Sequence, residues 1–416
     1  MTYNAKSTKT DDLSAISSLN DTPRGERLHI GIFGKRNAGK SSLLNAITGQ
    51  AAAVVSQIKG TTTDPVFKAM ELLPIGPVVL IDTPGIDDYG ELGDLRIERT
   101  KNILRKTNVA LLVVDILEGL ADEDTELIKT FEETGVKYLV VYNKSDLAKS
   151  APSEGFCVSA ETGENIYALK EKIAQISGTE AETRRLVADL LSPGDVVVLV
   201  VPIDSAAPKG RLILPHQQAI RDILEAGAAA LVAQPAGLAG TLKKLNAPPK
   251  LVITDSQVFE QVSKETPRDV RLTSFSILMA RYKGAFEQAV RGVKALDSIK
   301  DGDKILISEG CTHRKQCDDI GTVKMPKWIE KHTGAKPVYE FSAGGGFPQD
   351  LSGFKMIIHC GGCMLNNREM DYRHRAAGEA NVPITNYGVA ISYMQGILER
   401  CTAPIYELAG TKNHGH

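Results

Sequence analysis

The apolar run Ile30-Gly31-Ile32-Phe33 leads directly into Gly34-Lys35-Arg36-Asn37-Ala38-Gly39-Lys40-Ser41, and that into the helix-forming Ser42-Leu43-Leu44-Asn45. This is G-x-x-x-x-G-K-[ST] in its strand, loop and helix setting. Its glycines let backbone N–H groups curl around phosphate oxygens at a helix N-terminus, with Gly39, Lys40, Ser41 and Ser42 in the cradle. Lys40 is expected to reach the β- and γ-phosphates, and Ser41 to bind magnesium. A chain that begins its fold in this way is expected to build an α/β sheet with ligands beyond the strands' carboxyl ends.

The base is written further along. Leu111-Leu112-Val113-Val114-Asp115 and Leu139-Val140-Val141-Tyr142 read as buried strands, and the second ends in Asn143-Lys144-Ser145-Asp146. The Asp146 carboxylate can accept two hydrogen bonds from the guanine ring N–H and exocyclic amine, which adenine does not offer. Ser159-Ala160 is placed to present backbone N–H to the guanine carbonyl, and Lys144 to lay its stem along the base. After the strand Val78-Val79-Leu80-Ile81 comes Asp82-Thr83-Pro84-Gly85, where Asp82 can hold magnesium through water and the Gly85 N–H can face the γ-phosphate. Gly60-Thr61-Thr62-Thr63-Asp64 supplies a switch segment, with Thr62 as second magnesium hydroxyl.

The chain has 416 residues, which at about 150 per domain implies two to three domains. Lys and Arg number 49 against 51 Asp and Glu, a net charge of −2, so no global field draws the chain to nucleic acid or anionic membrane. No apolar run reaches the ~18 residues that span a bilayer. Residues 1–26 are polar and read as a tail without a signal-peptide stretch, which makes the cytoplasm the expected compartment. Clustered cysteines there are ligands before they are disulfides.

Four of the six cysteines, Cys311, Cys317, Cys360 and Cys363, fall between residues 311 and 363. Ile305-Leu306-Ile307 leads to Cys311-Thr312-His313, and Met356-Ile357-Ile358 to His359-Cys360-Gly361-Gly362-Cys363. Two strands could thus deliver C-x-H and H-C-x-x-C to one point, which is metal-ligand spacing. Cys₃His with closed geometry suits zinc, whereas three cysteines with an open position suit an iron-sulfur cluster, and the spacing alone does not choose. Cys317 lies one short segment further on.

Between the two regions, residues 180–191 read as a helix, and Ser192-Pro193-Gly194 punctuates the chain before the buried strand 195–202. A helix near 216–229, an Ala-rich stretch broken by Gly and Pro, the strand Leu251-Val252-Ile253-Thr254 and a helix from Ser256 follow. So few aromatics bury little apolar surface, which suggests pairing with a second copy. The last part alternates strands and helices, including 337–341 before Ser342-Ala343-Gly344-Gly345-Gly346 and 382–385 before Asn386-Tyr387-Gly388. An open parallel sheet is expected, its four strand ends around one metal site. The expected organisation is a tail (1–26), a GTP-binding domain (27–190), a small α/β middle domain (191–268) and a C-terminal α/β domain (269–416). His414 and His416 lie in a polar end and are not expected to be ligands.

The ordered nucleotide motifs resemble the GTPases of the Era and TrmE type over about residues 28–175. By that resemblance Asn37 holds a potassium ion beside the phosphates in the role of an arginine finger. Ile86 stands where Ras-like enzymes place the water-orienting glutamine. The whole chain, a GTPase followed by a small domain and C-x-H…H-C-x-x-C, resembles the HydF family of [FeFe]-hydrogenase maturation. That resemblance implies a P-loop GTPase scaffold in which Cys311, Cys360 and Cys363 ligate a [4Fe-4S] cluster with one exchangeable iron, and His313 and His359 lie beside it. Asp318 could reach the open iron, although a helix-start carboxylate is its plainer role. The resemblance further implies a diiron precursor received from radical-SAM maturases and delivered to apo-[FeFe]-hydrogenase. Two competing readings are an RNA-modification or ribosome-assembly GTPase with a structural zinc, against which stands the lack of a basic stripe with interleaved aromatics, and an electron-transfer enzyme, which needs no open iron.

Overall fold

A computed structural model describes residues 22–49, 66–83, 100–150, 152, 154–178, 184–203, 212–311 and 319–412. The chain divides into two compact units, Met1–Glu180 and Ala181–His416. Among the described residues, no helix is long and apolar enough to cross a membrane.

The first unit is a six-stranded sheet of order β2-β3-β1-β4-β5-β6. Its strands are β1 (Leu28–Phe33), β2 (Val66–Leu72), β3 (Gly76–Asp82), β4 (Val109–Asp115), β5 (Lys137–Asn143) and β6 (Phe156–Cys157). Only β2 runs antiparallel to its neighbour. Central strands read as unbroken Val, Leu and Ile because helices cover both faces, and Val109 to Val113 are sealed from solvent on each side. Strand β2 has no such run. It is an edge strand, mostly half-exposed, and its pattern Val-Phe-Lys-Ala-Met-Glu-Leu gave no sequence signal.

The second unit holds two four-stranded sheets, all parallel, of order β10-β9-β7-β8 and β12-β11-β13-β14. The first comprises β7 (Val196–Val200), β8 (Ala229–Ala233), β9 (Leu251–Thr254) and β10 (Leu272–Ser274); the second β11 (Lys304–Glu309), β12 (Val338–Ala343), β13 (Met356–His359) and β14 (Ile384–Asn386). One continuous apolar core, from Val197 through Phe275 to Ile358 and Ile391, serves both.

Three expectations change. The described part of 180–191 is irregular with a single 3-10 turn at Ala188–Leu190, because the Asp222 carboxylate, not a helix carbonyl, takes the N–H groups of Val187 (2.6 Å) and Ala188 (2.7 Å). The Ala-rich stretch begins as strand β8, since small side chains pack beside β7 at a sheet edge. Strand β10 pairs with β9, so the middle sheet extends past the expected limit at 268.

Candidate functional site

In the first unit, three loops meet at the carboxyl ends of β1, β4 and β5. The phosphate loop needs its odd backbone: Gly34 and Gly39 have φ of 140° and 88°, and a Cβ on Gly34 would sit 2.2 Å from the Val113 carbonyl. Asn37 also takes φ of 63°, which asparagine tolerates, and its side chain is exposed. Lys40 is buried and folds over the loop, donating from Nζ to the carbonyls of Gly34 (2.8 Å) and Lys35 (2.6 Å). Ser41 and Ser42 face solvent at the start of the helix Lys40–Thr48.

Asn143 joins the loops. Its Nδ2 donates to Ala38 O (3.1 Å) and its Oδ1 accepts from Ala160 N (3.0 Å), so phosphate loop and base loop are one rigid frame. Lys144, in the left-handed region, pairs with Asp115 (2.5 Å). Ser159 donates to Asp146 (2.5 Å) and accepts from Thr162 N (3.1 Å), which aims an exposed carboxylate. Burial raises the Asp82 carboxyl above its usual range, opposed by Lys68 and Lys40; a magnesium ion would favour its ionised form. Thr62, Gly85 and Ile86 lie outside the described residues. A Cβ on Gly39 would meet Asn143 Nδ2 at 2.1 Å. Gly39→Ala is therefore expected to push Asn143 off Ala38 and weaken guanine-nucleotide binding about tenfold or more, as read by equilibrium titration.

In the second unit, β11 and β13 are neighbours with Ser308 opposite His359, so Cys311 and Cys360 leave adjacent strand ends. Cys360 is fixed on both sides: its N–H donates to Ser308 O (2.9 Å), and its Sγ accepts N–H bonds from Gly310 (3.1 Å) and Gly362 (3.4 Å). Gly362 has φ of 66°, and a Cβ there would meet Met370 Sδ at 2.6 Å. Burial raises the thiol pKa of Cys360, against those two N–H bonds, and pushes Cys363 up to about 12, with Cys360 adding to the shift and buried Lys283 opposing it. Metal must displace these protons, so loading strengthens as pH rises. Among the described residues no three His, Cys, Asp or Glu side chains are gathered tightly enough for a single metal ion. The two N–H donors on the Cys360 sulfur fit a cluster thiolate, since hydrogen bonds to such sulfurs help set a cluster's potential. His313, Cys317 and Asp318 lie outside the described residues, as do His414 and His416.

His359 is fully buried, its Nδ1–H donates to Cys360 O (2.7 Å), and its Nε2 accepts from Arg373 (2.9 Å). Both nitrogens are engaged, and these bonds brace Cys360. Burial, and then Arg373, hold its pKa down to about 3, which keeps it neutral. Sequence reading missed Arg373. Its guanidinium, sealed from solvent, also reaches Ser308 Oγ (3.3 Å), the Gly344 carbonyl and Glu369 (2.8 Å), tying the ends of β11, β12 and β13 together. The readable trace is Glu369 and Arg373 four apart after the N-cap Asn366.

Comparison with known proteins follows this division. Residues 29–144 match the 50S ribosome-binding GTPase family, 186–284 the hydrogen maturase F dimerization domain, and 287–404 the hydrogen maturase F tetramerization domain. Curated relatives include the tRNA modification GTPase MnmE of Thiobacillus denitrificans, 35% identical over 160 residues (38% of this chain, 35% of that protein). GTPase Der of Wolinella succinogenes is 33% identical over 196 residues (42% of this chain, 41% of that protein). The chain thus spans about two fifths of the length of these relatives. Among solved structures, Aquifex aeolicus Era is 22% identical with a TM-score of 0.31, covering 50% of this chain and 93% of Era.

Proposed function

Because the chain belongs to the hydrogen maturase F family, a family of GTPases in hydrogenase maturation, we propose that it works there as a scaffold and carrier. It binds GTP with magnesium and hydrolyses GTP, and it bears that family's dimerization and tetramerization domains. In the proposed reading, Cys311, Cys360 and Cys363 hold a [4Fe-4S] cluster. When bound, the cluster supplies one unsaturated iron at which a bridging ligand can arrive and later leave. Its cargo is a diiron precursor, taken from radical-SAM maturases and given to apo-[FeFe]-hydrogenase.

The observation that supports this most is the Cys360 thiol, turned by the bonds from Gly310 and Gly362 toward the crevice where Cys311 also emerges. Arg373 and His359 hold that strand end without exposing a competing nitrogen. A zinc-bearing RNA GTPase would share the first unit, but the MnmE and Der matches cover 38% and 42% of this chain, whereas residues 186–284 and 287–404 match hydrogen maturase F domains. Anaerobic reconstitution with iron and sulfide, followed by metal analysis, tests the reading.

The nucleotide half has its own test. Asn37 is exposed at the rim of the phosphate loop, where a potassium ion could meet the oxygen that gains charge. GTP turnover is expected to be slow, and about tenfold or more faster in potassium than in sodium at equal ionic strength. Equal rates would remove potassium from the mechanism.

A further inference from the structure

The two sheets of the second unit follow one plan. Numbered within each sheet, both have the order 2-1-3-4, and both are wholly parallel. Their backbone bonds correspond. Asp195 and Asp303 each accept at Oδ2 from the N–H three residues earlier, Ser192 and Lys300, at 2.8 Å. Ala229 N bonds Asp195 O as Val338 N bonds Asp303 O, both at 2.8 Å. Leu272-Thr273-Ser274-Phe275 matches Ile384-Thr385-Asn386-Tyr387, and Ser274 and Asn386 cap the helices that follow. Each helix closes on a left-handed glycine, Gly284 (φ 77°) and Gly396 (φ 69°). Residues 192–284 and 300–396 are thus two copies of one module.

The cysteine crevice lies between β11 and β13, where the strand order reverses, the usual ligand position in an open parallel sheet. Its counterpart lies between β7 and β9. There Asp255 N donates to Val200 O (3.3 Å) as Cys360 N donates to Ser308 O, so Asp255 stands at the position of Cys360. Facing it is His216, on the helix Leu214–Glu225 that follows β7. His216 is 3% exposed, its ring packs on Phe275, and neither ring nitrogen has a hydrogen-bond partner among the described residues. Its Nε2 is 3.8 Å from Asp255 Oδ2, too far for a hydrogen bond. Asp255 Oδ1 is engaged by Gln257 N (3.1 Å), which leaves Oδ2 toward the imidazole. A buried imidazole with two orphaned nitrogens is a rare feature that calls for an unseen partner.

We propose that this crevice is a second binding site, taking one divalent transition-metal ion between His216 Nε2 and Asp255 Oδ2 with water completing the sphere. An imidazole and a carboxylate in place of thiolates suit zinc, iron(II) or manganese over softer ions. The choice of a metal ligand rests on the reading of the cysteine crevice, but the test does not. The full chain carrying Cys311→Ser, Cys360→Ser and Cys363→Ser, without nucleotide, is titrated anaerobically with zinc and with iron(II), and the same chain is then given His216→Ala, His216→Phe or Asp255→Asn. The expected result is one ion bound per chain, weakened about tenfold or more by each change, with His216→Phe as a well-packed control for folding. Absence of binding, or binding that all three changes leave intact, overturns the proposal.

Discussion

Replacing Lys40 with alanine is expected to lower GTP turnover by about 10² to 10³ while leaving iron content, melting temperature and oligomeric state unchanged. The ammonium lies over the phosphate loop, held by the carbonyls of Gly34 and Lys35, at hand for the β- and γ-phosphate oxygens. Truncation removes one preorganised charge from a position where charge develops in the transition state, and removals of that kind have this magnitude. The sheet under the loop depends on Ile30, Ile32 and Leu43, which the change does not touch. Base choice is separable: Asp146→Ala should narrow the preference for GTP over ATP by about 10² or more, because an aimed carboxylate discriminates through bonds that adenine cannot make. An enzyme that turns over ATP as readily as GTP before any substitution would contradict the assignment of Asp146. Iron lost from a folded Lys40→Ala protein would contradict the separation of nucleotide and cluster sites.

Serine at Cys311, Cys360 or Cys363 is expected to strip most of the iron from the reconstituted protein. Serine oxygen replaces a thiolate poorly as a cluster ligand, and at Cys360 it also loses a soft acceptor for the Gly310 and Gly362 N–H groups. Cys157→Ser and Cys401→Ser should keep their iron. Cys401 is sealed in the core, so a hydroxyl there costs about 1–3 kcal/mol and lowers the melting temperature without touching the crevice. Cys317, outside the described residues, is expected to behave as a bystander. Iron and melting temperature, measured together on each variant, separate ligand loss from unfolding.

How much of this was legible before the structure depends on the kind of signal. The phosphate loop and Asn143-Lys144-Ser145-Asp146 were readable because their chemistry is local: a strand, a left-handed glycine and a helix start are adjacent in sequence. The C-terminal sheet was readable because its central strands β11 and β13 are buried apolar runs ending in unusual residues. Strands β2 and β8 were not, since edge strands need no continuous apolar run. Arg373 was invisible for a different reason. The helix Asn367–Glu379 is so polar that it reads as a surface helix, and only the tertiary fold reveals that its guanidinium is sealed beneath three strand ends. His359 beside Cys360 invited a ligand role by proximity in sequence, while the structure spends both its nitrogens on Cys360 O and Arg373. The duplication of the second unit was hidden because the two copies share hydrogen bonds and turns more than residues.

Iron and zinc should be quantified on the anaerobically reconstituted wild-type chain, and the EPR spectrum of its reduced form recorded with and without added imidazole or cyanide. The account predicts about four iron atoms per chain bound at the three cysteines, zinc well below that, and a signal that changes when the external ligand is added, since only an unsaturated iron can accept it. Stoichiometric zinc at the cysteines, or a four-iron signal that neither ligand alters, would contradict a carrier with an open coordination position.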